Sequence, residues 1–174
     1  MALNLDLFIK KENLINFEKV LYEYADKFVE LYRAKLKSED LYASGDLYDS
    51  ITCTPVINGD ECIVTFNAKD YYEYIEFGTK PHYAPIKSIL EWVEVKLKLP
   101  KEQQLSTAYA IQKTIAREGT IKRYGRPLGG SHILAQTVAE LNKEYIPKLE
   151  QALQDDADKV VFDVIEKIGE WSIW

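Results

Sequence analysis

The chain has 174 residues, 47% of them hydrophobic, which is enough for one compact domain with its own core. It carries 22 Lys and Arg against 28 Asp and Glu, a net charge of −6, so it lacks the basic excess of a general nucleic-acid binder, although an acidic wall past which a duplex slides fits that charge. Two cysteines are too few for a disulfide framework, residues 1–11 lack the basic start and apolar run of a signal peptide, and no apolar stretch approaches the roughly 20 residues of a membrane helix, so the chain is expected in a reducing cytoplasm.

Leu14, Phe17, Leu21, Tyr24, Phe28 and Leu31 recur every three or four residues. That spacing predicts a helix from about Leu14 to about Lys37, with Asn13 as N-cap. Ser44-Gly45-Asp46-Leu47 predicts a turn or cap that breaks it. Asn58-Gly59 is a strong two-residue hairpin signal, because both turn positions need positive φ. A turn there pairs Ile57 with Asp60, Pro55 with Cys62 and Cys53 with Val64. Ile51, Cys53, Pro55, Ile57, Cys62, Val64 and Phe66 then share one apolar face, and a one-residue slip would scramble it. Cys53 and Cys62 read as buried, inert thiols, since a metal would want further sulfur or histidine nearby. Pro55 places its strand at an edge or a bulge.

Tyr71 to Pro85 reads as an aromatic helix or turn ended by Gly78, followed by a proline-spaced crossing into another helix. Ile86, Ile89, Leu90, Val93, Leu97 and Leu99 predict that helix, ending at Pro100. Ser106 is expected to cap a further helix from Thr107 to Glu118, with Gly119 as its stop. Residues 121–131 hold three glycines and one proline and read as loop. Ile133, Leu134, Val138 and Leu141 form a helical stripe. Pro147 restarts or kinks the chain, and Leu149, Leu153, Ala157, Val160, Val164 and Ile168 form a second stripe. Trp171 and Trp174 are expected to dock on the core or on a neighbour. The expected fold is α+β: a core over residues 1–131 and a helical extension over 132–174, within a single domain.

No nucleophile elbow, Cys/His pair or phosphate loop is present, so no catalytic residue, cofactor or metal site is expected. His82 and His132 have no ligand-spaced partner. Glu73 and Glu76 would share a helix face and could join His82 in a metal triad. Solvated carboxylates beside an ordered turn are the preferred reading. Tyr71, Tyr72, Tyr74 and Tyr83 cannot all enter one core, and tyrosine is favoured at protein interfaces. Interface candidates are therefore Tyr72, Tyr74, Glu76, Phe77, Gly78, Thr79, Asn58, Gly59, Trp171 and Trp174. Lys122, Arg123 and Arg126 join them as the densest basic cluster, where a subunit contact is preferred over phosphate.

Leu41-Tyr42-Ala43-Ser44-Gly45-Asp46-Leu47-Tyr48-Asp49-Ser50-Ile51 resembles the small-Gly-x-Leu-x-x-Ser-Ile opening of a phage tail-completion family, the tail-component family of lambdoid-type long-tailed phages. Tyr74-Ile75-Glu76-Phe77-Gly78-Thr79 is similar to its Glu-Phe-Gly-Thr centre. Ala110-Ile111 to Gly119-Thr120 resembles a helix of some members, and Arg126-Pro127-Leu128 stands where many have Arg-Pro-Phe. The resemblance covers about Leu14 to Leu153, and the tail beyond Leu153 departs from it. It implies a small curved antiparallel sheet packed on a long helix. It also implies a structural virion protein that forms a ring, of six or twelve copies, around the DNA channel at the head–tail interface. Its partners would be portal or adaptor ring proteins and tail proteins, with DNA passing unread and no membrane. Its place would be the virion neck or tail, after assembly in the host cytoplasm. The competing expectations are a tail terminator ring, a metal-dependent nuclease using Glu73, Glu76 and His82, and an assembly chaperone absent from the particle.

Overall fold

The computed structural model describes residues 11–41, 45–58, 61–120 and 130–171, with the side chains of 167–171 left out. After a 3-10 turn at Lys11–Asn13 come α1 (Ile15–Ser38), α2 (Asp46–Ser50), β1 (Thr52–Asn58), β2 (Glu61–Asn67), α3 (Tyr72–Phe77), α4 (Ile86–Leu97), α5 (Lys101–Glu118) and α6 (Ile133–Trp171). The class is α+β, as the sequence predicts: a two-stranded antiparallel sheet, a long N-terminal helix and C-terminal helices. The chain divides into two compact units. Unit 1 holds residues 1–30, 53–66 and 137–174, and unit 2 holds 31–52 and 67–136.

In unit 1 the helical stripe is real. Leu14, Leu21 and Phe28 are buried, joined by Ala25, while Phe17 and Tyr24 are half-buried. Leu14 and Leu21 pack with Ile57 of the hairpin, and Phe17 and Leu149 flank them. The rings of Phe28 and Phe66 meet edge-on at 5.5 Å, and those of Tyr24 and Tyr145 at 5.6 Å. Such pairs add roughly 0.5–1.5 kcal/mol beyond the area they bury.

Expectations about both helices of this unit are corrected. Asn13 lies in the 3-10 turn, and the cap of α1 comes from far along the chain. The Asp156 carboxylate accepts the backbone N–H of Asn16 (3.0 Å) and of Phe17 (2.8 Å), and the Asn16 side-chain amide (2.8 Å). First-turn N–H groups have no partner inside their helix and favour a negative charge, so Asp156 can stand 2% exposed. The buried positions of α6 in this unit therefore follow Leu141, Tyr145, Ala152 and Asp156. Leu153, expected on the buried face, is 45% exposed, and Pro147 is carried inside the helix, so the chain does not restart there.

The predicted apolar face of the hairpin holds on β1 and fails along most of β2. Asn58, predicted in the turn, belongs to β1, and Gly59 lies outside the described residues. Pro55 and Ile57 are buried and Cys53 half-buried, as predicted. On β2 only Phe66 is part-buried, and Cys62 is exposed rather than buried. Burial, with a smaller push from the Asp26 charge, raises the Cys53 thiol to about 11. Burial raises the Cys62 thiol too, but Cys62 lies open to reagent while Cys53 is half-buried and held as the neutral thiol. Alkylation of the folded chain is therefore expected to label Cys62 at least about tenfold faster than Cys53, with the difference abolished in denaturant. Peptide mass mapping over time reads this directly.

In unit 2, α4 and α5 form a helical pair around Ile89, Val93 and Ala108. Lys98, at φ 50, ends α4, and Pro100 stands at the N-cap of α5. The expected start at Ser106 is thus corrected: its hydroxyl donates to the Gln103 carbonyl (3.0 Å) from within the helix. Lys101 to Gln104 are good helix formers behind a proline that needs no N–H, so the helix begins there. Gly45, at φ 95, leads into α2, where Leu47 is buried. Arg33 holds the end of α2 by donating to the carbonyls of Tyr48 (2.9 Å) and Ile51 (3.3 Å).

Candidate interface in the second unit

The Glu-Phe-Gly-Thr segment is built from helix ends. Gly78 closes α3 at φ 70 and ψ −179, and its N–H donates to the Tyr74 carbonyl (3.0 Å). Gly119 closes α5 at φ 66 and ψ −158, and its N–H donates to the Ile115 carbonyl (2.8 Å). Both lie in a region of backbone space that is essentially glycine's alone.

The threonines that follow these glycines bind each other. Thr120 N–H donates to the Thr79 carbonyl (2.9 Å), Thr79 N–H donates to the Thr120 hydroxyl (2.7 Å), and the two hydroxyls lie 3.1 Å apart. A Cβ on Gly119 would sit 2.0 Å from the Thr79 carbonyl oxygen, so the close approach itself demands glycine. The sequence shows both Gly-Thr steps, but it does not show that they meet.

Glu76 is the second carboxylate cap. It is 1% exposed, and its oxygens accept the N–H groups of Leu134 (2.9 Å) and Ala135 (3.3 Å) in the first turn of α6. Ser131 N–H donates to the Ile75 carbonyl (2.8 Å) and His132 N–H to that of Glu76 (3.2 Å). Gly130, at φ 65, gives this approach room, since a Cβ there would lie 1.9 Å from the Glu76 carbonyl oxygen. Burial first, then the charge of Glu76, raises the Tyr32 hydroxyl well above the usual tyrosine range, so it stays protonated.

Glu76 is thus corrected from an interface candidate to an inward-facing cap. The triad with Glu73 and His82 does not assemble: one carboxylate is committed to α6, and His82 Nδ1 lies 2.8 Å from the Lys80 carbonyl. Among the described residues no group of three His, Cys, Asp or Glu is placed to hold a metal ion.

The remaining candidates divide by exposure. Tyr74, 63% exposed, and Phe77 face solvent, while Tyr72, Gly78 and Thr79 are half-buried. Phe77 meets the His132 ring edge-on at 6.3 Å. Asn58 is exposed at the end of β1. Lys122, Arg123, Arg126 and Trp174 lie outside the described residues, as does the side chain of Trp171, whose backbone ends α6.

Sequence reasoning missed a cavity of about 310 Å³ beside Tyr74, whose walls include Leu36, Leu47, Ile75, Trp92 and Ile115. Lys96, paired with Asp40, and the Tyr48 ring also line it. Arg33 and Lys37 lie over that ring, 5.0 and 4.4 Å from its centre. Its walls come from α1, α2, α3, α4 and α5, so no local spacing announces it. Aromatic walls with a few charged groups at this volume suit an apolar guest. Comparison of the chain with protein-family models, with curated proteins and with solved structures finds no match.

Proposed function

We propose that the chain is a structural virion protein of the neck or tail-completion class, forming a ring at the phage head–tail interface through which DNA passes. The order of motifs from Ser44-Gly45 through Glu76-Phe77-Gly78-Thr79 to Gly119-Thr120 supports the place. Strand β2 supports the means, and it is the observation that carries the reading. Ile63 and Val64 point to opposite faces of that strand and both are exposed. A two-stranded sheet has no third strand to cover either edge among the described residues. An isolated hairpin is marginal in water, and an uncovered edge is a template for another chain. In a ring, the hairpin of one subunit adds to its neighbour, with different patches meeting at each joint. Portal or adaptor rings and tail proteins are the partners above and below.

Negative-stain imaging and sedimentation of the pure protein test this. Rings with a pore about as wide as a duplex are the expected result. Ile63→Lys and Val64→Lys change exposed side chains and are expected to leave folded monomers. Wild-type protein that stays monomeric at high concentration overturns the ring, and rings unchanged in both variants remove β2 from the joint.

A further inference from the structure

Charge is distributed unevenly between the units. Unit 1 carries 8 Lys and Arg against 17 Asp and Glu, a net of −9, and unit 2 carries 14 against 11, a net of +3. The acid is dense near the far end of α6, where Asp155, Asp158, Asp163 and Glu166 are all exposed. Between them Val161, Phe162, Val164 and Ile165 are exposed as well, with Phe162 at 66%. Phe162 and Ile165 are three apart and share a helix face. An apolar stripe inside an acidic border is a feature of an interface, since scattered exposed apolar residues do not cluster this way.

The cavity of unit 2 has the opposite character. Its walls are largely apolar and aromatic, Lys96 and Asp40 there neutralise each other as an ion pair, and Arg33 and Lys37 stand over the Tyr48 ring. A space of about 150 Å³ holds a benzene ring, so about 310 Å³ accepts the Phe162 ring together with the Ile165 side chain. We propose that the occupant is a second copy of this chain: Phe162 and Ile165 of one copy enter the unit 2 cavity of the next. Opposite net charge orients the approach, and the buried aromatic supplies the affinity. The contact is head-to-tail, so it propagates or closes into a ring. It rests on the ring reading above and names a joint distinct from β2.

Mixing two variants tests it. Phe162→Asp removes the guest and leaves the cavity, and Tyr74→Glu puts a carboxylate at the cavity mouth and leaves the guest. Both positions are exposed, and circular dichroism and thermal midpoints matching wild type confirm folding. The milder Phe162→Ala gives the same direction of change. Each variant alone is expected to associate roughly thirtyfold more weakly, the loss of one aromatic anchor. In a background carrying Ile63→Lys and Val64→Lys, which takes β2 out of the assembly, an equimolar mixture is expected to form dimers and nothing larger, because each dimer keeps one intact joint and blocks the other two halves. Raising NaCl from about 0.05 to 0.5 M is expected to weaken wild-type association, since the orienting charges are screened. Sedimentation velocity reads all of these. Wild-type oligomers matched by both variants overturn this joint and leave the ring reading standing. A mixture that stays monomeric also overturns it, whereas a monomeric wild type overturns both.

Discussion

Gly119→Ala is expected to be severely damaging to unit 2, costing about 3–5 kcal/mol. Two effects add. The backbone at φ 66 and ψ −158 is strained for any side chain, at about 1–3 kcal/mol. The new methyl would also lie 2.0 Å from the Thr79 carbonyl oxygen, which is backbone and cannot swing away. Relieving that overlap breaks the hydrogen bonds between Thr79 and Thr120, and these join the ends of α3 and α5. Urea unfolding followed by circular dichroism measures the loss. A variant within about 1 kcal/mol of wild type would show that the two Gly-Thr steps are not tightly joined.

Glu76→Gln and Asp156→Asn are expected to lose about 2–3 kcal/mol each, although the replacements are nearly the same size. Glu76 and Asp156 are the buried charged residues among those described, and each caps the first turn of a long helix. An amide keeps one acceptor, but it turns its NH2 toward an N–H that had a partner, and it removes the charge that the helix end favours. Hydrogen exchange separates the two cases. Asp156→Asn is expected to speed exchange at Asn16 and Phe17, and Glu76→Gln at Leu134 and Ala135. Exchange that rises evenly across the chain would mean that neither carboxylate holds its helix end locally.

These two residues also mark where sequence reading stops. Period and punctuation were legible: the stripe of α1, the buried face of β1, and the glycine stops after α3 and α5 all follow from spacing and backbone chemistry. What was not legible depends on residues far apart in the chain. Leu153 looked like a core residue because it continues an apolar stripe, yet Asp156 sets the rotation of that part of α6 through bonds to Asn16 and Phe17. Ser106 looked like a helix start because serine caps well, but Pro100 does that work six residues earlier. In the candidate interface, the tyrosines were recognisable as too many for one core, and Tyr74 and Phe77 do face solvent. The cavity beside them was invisible, because five helices supply its walls. One signal was present and unused: an acidic residue inside an apolar stripe asks for a buried partner.

The Asp156 cap has a consequence for how the chain is made. Asn16 and Asp156 are 140 residues apart in sequence. At roughly 5–20 residues per second, a ribosome takes about 7–28 s to add the stretch between them. Throughout that interval the Asp156 carboxylate is not yet there to cap the first turn of α1. Unit 1 therefore completes late, after most of unit 2 has been synthesised.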